Sequence, residues 1–166
     1  MTMPTEPLRA EHRDLLPHVA ELRTIADSIG RWDDDTPHQI VDTVTFLRDH
    51  LIPHAHAEEA VLYPTVERLQ GAPGATATME ADHVEIVARI DKLDALGSRL
   101  SPRPPSEAEA NELRAQLYGL WAVLVLHFDK EEAVLLPILD AHLNDADAIA
   151  LFERMGAVAH PTGPGA

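Results

Sequence analysis

Two stretches of the chain place a histidine four residues before a pair of glutamates. They span residues 51–64 and 124–137, and both follow the pattern L-x-x-H-x-x-x-E-E-A-V-L-x-P. An α-helix turns about 100° per residue, so residues four apart lie about 40° apart on one face. The histidine and the first glutamate can therefore reach one cation or two adjacent cations. The two pairs are His54 with Glu58 and His127 with Glu131.

A weaker repeat adds one histidine before each of these stretches. The segment A-E-H at residues 10–12 resembles A-D-H at residues 81–83, and they end at His12 and His83. The chain therefore has the pattern of one helix pair used twice, each pair supplying a histidine and then a His-x-x-x-Glu motif. All four histidines lie on the apolar face of their predicted helices, where leucine, valine and isoleucine recur at helical spacing.

Two glutamates share that apolar face, and their burial has a chemical consequence. A buried carboxylate is costly unless it is paired or binds a metal. One histidine on an apolar face is usually a core residue, and one His-x-x-x-Glu motif is often a surface pair. Four core histidines in a repeated pattern are not explained in either way. The sequence therefore predicts a metal site with six ligands: His12, His54, Glu58, His83, His127 and Glu131.

The types of these ligands restrict the metal. The chain has no cysteine, which excludes thiolate sites and disulfides. Imidazole and carboxylate suit iron, manganese or zinc, and six ligands exceed the usual four of one zinc. They suit two metals that share carboxylates in a bundle core. A ferritin-like site is the nearby alternative, but it needs two Glu-x-x-His motifs, and only Glu80-x-x-His83 fits, with Glu80 about 60° from the histidine.

The combined motif, from about residue 8 to residue 140, resembles the hemerythrin-like, or HHE cation-binding, family. The resemblance implies a four-helix bundle with a non-heme di-iron centre, for which zinc or manganese are substitutes. It implies that His12 and His54 hold one iron and that His83 and His127 hold the other. It also implies that both irons are bridged by an oxo or hydroxo group and by the two glutamates, Glu58 and Glu131.

Two positions depart from the oxygen-carrying members of that family. Those proteins have a further histidine one turn after the third-helix ligand, where this chain has Val87. They also place the last carboxylate one residue further from its histidine than Glu131 is from His127. We therefore expect a nearly symmetric site with an open position on each iron.

An open position favours a small ligand such as dioxygen, hydrogen peroxide or nitric oxide. Resemblance to bacterial members with this ligand set implies detoxification of peroxide or nitric oxide, in a catalase-like or related reaction. The alternative is an oxygen- or iron-sensing module that binds without turnover. The sequence does not separate the two, and it contains no further cofactor motif.

Four residues near the motifs have competing interpretations. His50 lies one turn before His54, on the core side, and is either an additional ligand or a neighbour of the site. Tyr63 either lines the site or closes the core, and the core role is the preferred prediction. Glu59 and Glu132 follow the ligands and lie about 100° further round the helix. We expect them in solvent or in charge contacts between helices.

The helices that must carry these residues are separated by clusters of glycine and proline. Between the clusters, the sequence predicts four helices and a short fifth, over residues 5–29, 37–69, 75–97, 106–142 and about 145–155. Thr36, Ser106 and Asn144 are the predicted N-caps of three of them.

Short connections between long helices favour an up-down-up-down arrangement. The predicted fold is therefore an all-α four-helix bundle with a short C-terminal helix. We expect one domain over residues 1–156 and a disordered tail, rich in glycine and proline, over residues 157–166.

The composition excludes several classes of function. The formal net charge of -15 repels nucleic acid and anionic membranes. No apolar run approaches the roughly 20 residues of a membrane span. The N-terminus lacks the basic and apolar regions of a secretory signal. Together with the absence of cysteine, these features favour a cytoplasmic monomer or dimer.

Overall fold

A computed structural model describes residues 3–100 and 104–161, which form five helices and contain no strand. Three helices are uninterrupted, and a short 3₁₀ turn, Ile29–Arg31, follows the first. Two longer helices contain π-helical turns. In chain order they are α1 (Glu6–Ser28), α2 (residues 36–70), α3 (Ala77–Gly97), α4 (residues 107–142) and α5 (Asp145–Ala159). The predicted all-α fold is confirmed.

Three π-helical turns interrupt the long helices, two in α2 and one in α4. They are Leu47–Leu51, Glu58–Leu62 and Glu131–Leu135. Each ends two residues before a proline, at Pro53, Pro64 and Pro137. A proline has no N–H, and its ring clashes with the carbonyl four residues earlier. A wider turn moves that carbonyl away, so the helix continues.

The last two of these π-helical turns begin at the predicted ligands Glu58 and Glu131. Their hydrogen bonds span five residues: the Tyr63 N–H donates to the Glu58 carbonyl, and the Leu136 N–H donates to the Glu131 carbonyl. Both helices continue past the prolines, α2 to Gln70 and α4 to His142.

Neighbouring helices of the bundle run in opposite directions. Where α1 packs against α4, Arg9 contacts Asp140, and Asp27 accepts a hydrogen bond from Tyr118 near the other end. The same reversal relates the other neighbours, as these contacts show: Glu11–His54 and His18–Phe46, Arg48–Asp91 and Glu67–Thr76, Asp82–His127 and Arg89–Gln116. This order is that of the predicted up-down-up-down bundle.

The helix starts follow the predicted caps at two of three places. Ser106 forms a capping box with Glu109, and Asn144 accepts a hydrogen bond from the Asp147 N–H. The prediction of Thr36 as N-cap is wrong, because α2 already includes Thr36. Asp33 caps the start of α2 instead, since its carboxylate accepts hydrogen bonds from both the N–H and the hydroxyl of Thr36.

The last helix is longer than predicted. It passes Gly156 and ends at Ala159, so residues 157–159 are helical rather than part of a tail. Ala159 packs against a hydrophobic cluster that also contains Leu151 and Met155. Contact with this cluster offsets the cost of a glycine within a helix, about 1 kcal/mol. Residues 162–166 of the predicted tail lie outside the described residues.

Two hydrophobic clusters fill the bundle, one on each side of the predicted ligands. The first cluster contains Leu15, Leu51, Ile86 and Leu124, and extends towards Leu22 and Leu117; the second contains Leu8, Leu62, Met79 and Leu135. Each long helix therefore passes from one cluster, through its ligands, to the other. The polar residues form a layer that apolar packing encloses at both ends. None of the described helices has an apolar segment long enough to cross a membrane.

The first cluster stabilises the bundle at a distance from the polar layer. Leu117 is 1% exposed and lies ten residues before His127. Leu117→Ala should lower the free energy of unfolding by about 2–5 kcal/mol, because it leaves a cavity in a packed core. Metal content per folded chain should stay unchanged. Chemical denaturation and metal analysis check this prediction, and a coupled loss of metal would contradict it.

Candidate metal centre

The six predicted ligands come together at one level of the bundle. The histidines are at most 7% exposed, and Glu58 and Glu131 are fully buried. These residues form two groups. Within each group, one ligand atom from every residue lies within 4.8 Å of the ligand atoms of the others. The first group is His12, His54, Glu58 and Glu131; the second is Glu58, His83 and His127.

Glu58 faces both pairs of histidines. Its Oε1 atom lies 3.0 Å from His54 Nε2 and 3.8 Å from His12 Nε2. Its Oε2 atom lies 3.5 Å from His83 Nε2. Glu58 therefore directs one oxygen to each pair of histidines. This is the arrangement that a ligand bridging two metal ions requires.

Glu131 faces both pairs in the same way. Its Oε2 atom lies 3.4 Å from His12 Nε2, and its Oε1 atom lies 3.5 Å from His127 Nε2. The Nε2 atoms of His83 and His127 are 2.9 Å apart. Two nitrogens that bind one metal at about 2.1 Å, at right angles, are separated by about 3 Å. The spacing of this pair therefore fits ligands of a single ion.

Several ligand atoms have no hydrogen-bond partner among the described residues. They are the Nε2 atoms of His12 and His54, both carboxylate oxygens of Glu58, and Oε2 of Glu131. Buried polar groups without partners are rare in folded proteins. These five atoms converge on one place, and they are imidazole nitrogens and carboxylate oxygens, the kinds of donor that bind iron, manganese and zinc. The residues present thus fit a pair of metal ions.

The outer nitrogen of every histidine donates a hydrogen bond to a carboxylate on a neighbouring helix. A carboxylate only accepts, so the Nδ1 atom carries a hydrogen and Nε2 is the nitrogen that is available to a metal. We predicted Glu59 and Glu132 as solvent or inter-helix charges, and they make two of these contacts. The pairs are His12–Glu132, His54–Glu11, His83–Glu59 and His127–Asp82.

These carboxylates were not among the residues predicted for the site. A signal for them exists, because each is adjacent in sequence to a predicted ligand: Glu11 to His12, Glu59 to Glu58, Asp82 to His83, and Glu132 to Glu131. Which histidine each one contacts follows only from the packing of the helices.

The buried charges shift the pKa values of the histidines. Burial lowers the pKa of His12, but the carboxylates of Glu131 and Glu58 outweigh it and raise the pKa to about 9. Burial likewise opposes protonation of His54, whose pKa is raised to about 10 by Glu58 and Glu11. Without metal, these histidines therefore carry protons at neutral pH, and those protons compensate the carboxylates.

The pKa of Glu58 moves in the opposite direction. Burial would raise it, but the positive charge of His54 and the contacts with His12 and His83 hold it well below the usual range. The carboxylate therefore stays ionised and available as a ligand at neutral pH.

Tyr63 lines the site in addition to taking the predicted core role. The side chain is fully buried, and its hydroxyl donates a 2.8 Å hydrogen bond to Glu131 Oε1. Burial and the charges of Glu58 and Glu131 raise the pKa of Tyr63, which keeps the hydroxyl protonated as a donor. Tyr63 belongs to the second hydrophobic cluster as well, so it fixes Glu131 from that side of the layer.

Two other candidates are not part of the buried cluster of ligands. The side chain of His50 is exposed and packs against Phe46 with the rings tilted and their centroids 4.6 Å apart. Glu80, which suggested a ferritin-like motif, is also exposed. Val87, in contrast, lines a small cavity beside His83 and His127.

Tyr63→Phe should destabilise the metal-free protein by about 1–3 kcal/mol. The substitution removes the hydrogen-bond partner of a fully buried carboxylate oxygen, whose desolvation is then uncompensated. Tyr118→Phe is the matched control, because the Tyr118 hydroxyl binds Asp27 at an exposed position. Denaturant unfolding of both variants checks this, and equal losses in the two would contradict the role of Tyr63.

The stability of the metal-free protein should depend on pH. The raised pKa values of His12 and His54 contribute stability that is complete below 6.5 and is lost as pH rises through about 9 and 10. The lowered pKa of Glu58 contributes stability above 4.5 that is lost as pH falls. We expect the highest melting temperature between these limits, with a fall of several degrees by pH 9.5.

Bound metal replaces those protons, so the loaded protein should not show the alkaline decrease. Thermal unfolding of loaded and chelator-treated protein across this pH range gives the comparison. Parallel curves for the two forms would show that the metal does not occupy the place of the protons.

Comparison with known proteins agrees with the geometry of this site. A family model described as the hemerythrin HHE cation-binding domain matches residues 3–153. The iron-sulfur cluster repair protein YtfE of Musicola paradisiaca (strain Ech703) is 29% identical over 134 residues, which are 76% of this chain and 58% of that protein. YtfE of Salmonella paratyphi B is 23% identical over 128 residues, with the same shares.

The chain thus spans somewhat less than three fifths of the length of the curated relatives it matches. No solved structure gives a significant match. The family model covers most of the chain and all six residues of the buried cluster. The chain therefore belongs to the hemerythrin HHE cation-binding domain family.

Proposed function

We propose that this chain holds two non-heme irons and uses them to bind and process a small oxidant, hydrogen peroxide or nitric oxide, as part of detoxification in the cytoplasm. His12 and His54 would hold one iron, and His83 and His127 would hold the other. Glu58 and Glu131 would each offer one oxygen to each iron. When bound, the irons polarise the oxidant and exchange electrons with it.

The observation that carries this proposal is the position of the two buried glutamates between two pairs of histidines. Each glutamate directs one oxygen to each pair. A single ion would leave one histidine pair and two carboxylate oxygens without a partner in the core, which is costly. Two ions satisfy all six residues.

A small cavity beside the centre supports a ligand of a few atoms. It has a volume of about 10 Å³, which is enough for about one water molecule. Glu58, His83 and His127 contribute its polar side, and apolar residues of the first hydrophobic cluster, such as Leu124 and Phe128, form the remainder. The size of this cavity favours a ligand of one or two heavy atoms.

Val87 contributes to the openness of this cavity. It lies one turn after His83 and lines the cavity with an apolar side chain. A histidine there would provide a further ligand, as in the oxygen-carrying members of the family. Valine leaves that position to an external ligand, which supports reaction with an oxidant over simple reversible oxygen carriage.

The names of the similar proteins support a role in protection against oxidants. These proteins are named for iron-sulfur cluster repair, a role that fits protection against oxidants. A module that binds iron or oxygen without turnover is the second candidate. The same names favour it, since a repair protein has use for bound iron.

The test compares the wild-type chain with the double variant Glu58→Ala, Glu131→Ala. We expect two irons per wild-type chain, and a loss of at least 90% of the bound iron in the variant, because both bridging groups are removed. Glu80→Ala with Glu112→Ala is the control, since both side chains are exposed glutamates on the same bundle. Mass spectrometry of metals gives the stoichiometry.

Turnover then separates the two candidates. Oxygen evolution from peroxide, or consumption of nitric oxide, above that of free iron supports the enzyme. Spectral changes on ligand addition without turnover support the binding module. Full retention of iron by the double variant would refute the centre itself.

A further inference from the structure

We propose that the four carboxylates Glu11, Glu59, Asp82 and Glu132, which we call the carboxylate ring, are positioning residues that hold the four histidines from neighbouring helices, and that each half of the ring controls one of the two irons. This inference rests on the proposed di-iron function. It assigns a role to four side chains that are not themselves ligands.

The contacts of the carboxylate ring are short and involve every histidine of the centre. The distances from Nδ1 to the carboxylate oxygen are 2.8 Å for His12, 2.9 Å for His83, and 3.1 Å for both His54 and His127. The carboxylates themselves are partly accessible, with exposures from 22% to 58%. The carboxylates therefore remain in contact with solvent, while the imidazoles they hold are buried.

The order of these contacts runs once around the bundle. Glu11 of α1 holds the histidine of α2, and Glu59 of α2 holds the histidine of α3. Asp82 of α3 holds the histidine of α4, and Glu132 of α4 holds the histidine of α1. Every interface between adjacent long helices thus carries one such contact. The geometry of the metal centre is thereby tied to the packing of all four helices.

These contacts have a defined chemical effect. A histidine whose Nδ1 hydrogen bonds to a carboxylate is fixed in its tautomer and ring orientation, and its Nε2 atom is a stronger donor to a metal. Loss of such a partner reduces metal affinity by about 10-fold to 100-fold. The ring therefore pre-forms the four nitrogen positions before metal arrives.

The ring divides into halves that match the two histidine pairs. Glu11 and Glu132 hold the histidines of one iron, His54 and His12. Glu59 and Asp82 hold those of the other. Removal of one carboxylate should therefore loosen one iron and leave the other in place.

Within each half, one carboxylate is itself held by a cation and the other is not. Arg9 contacts Glu132, and Lys130 contacts Asp82. Among the described residues, no lysine or arginine lies within 4 Å of Glu11 or Glu59. The negative charge of these two is thus not offset by a lysine or an arginine. Their loss should therefore also raise the reduction potential of the iron they serve, since less negative charge favours the reduced ion.

The experiment measures release of iron from loaded protein to a chelator. In Glu11→Ala and in Glu59→Ala, we expect half of the iron to leave about 10-fold to 100-fold faster than in wild type, with the other half unchanged. Glu11→Gln and Glu59→Gln retain an accepting oxygen, so release should return towards the wild-type rate, while the raised potential should remain. Glu21→Ala, at an exposed site on α1, is the control.

Pairs of substitutions test the division into halves. Glu11→Ala with Glu132→Ala should accelerate the release of the same half of the iron as Glu11→Ala alone. Glu11→Ala with Glu59→Ala should accelerate the release of all of the iron. Acceleration of both irons by each single variant would overturn the division. Wild-type release rates in both single and both double alanine variants of the ring would overturn the proposed role of the carboxylate ring, provided that wild type holds two irons. A wild-type chain without two irons would instead refute the proposed function.

Discussion

The burial of two carboxylates at the same level of the bundle is the constraint on which the rest of the structure depends. Glu58 and Glu131 are fully buried, and an ionised carboxylate removed from water must be met by positive charge. In the metal-free protein that charge comes from protons on the histidines, whose pKa values are raised for this reason. In the proposed function, two metal ions would replace the protons and satisfy atoms that have no hydrogen-bond partner among the described residues. Folding and metal binding are therefore linked through one set of charges.

The remaining architecture holds those charges in place. Hydrophobic clusters close the polar layer at both ends, so that water does not compete for the ligand atoms. π-helical turns begin at both glutamates and let the helices continue past Pro64 and Pro137. Tyr63 fixes one glutamate, and the outer carboxylates orient the imidazoles. The ligands of the centre are consequently held from several helices, and a small cavity lies beside them.

Much of this arrangement could be predicted from the sequence, because the repeated His-x-x-x-Glu motif fixes both a helical face and a donor set. The helix bounds were also predictable from glycine and proline clusters, to within two residues except at the end of α5. Contacts between helices were not predictable in this way. Tyr63 was assigned to the core because an apolar stripe does not reveal which polar tip finds a partner. Glu59 and Glu132 were assigned to solvent or to inter-helix charge, since their partners lie on other helices. The capping role of Asp33 was missed because its partner, Thr36, is itself a favourable cap.

The most direct test of the central claim is the position of iron in crystals of the loaded protein, measured by anomalous scattering at the iron edge. We predict two peaks within the polar layer, with Glu58 and Glu131 each contacting both. A single peak, or two peaks that do not share these carboxylates, would contradict the account.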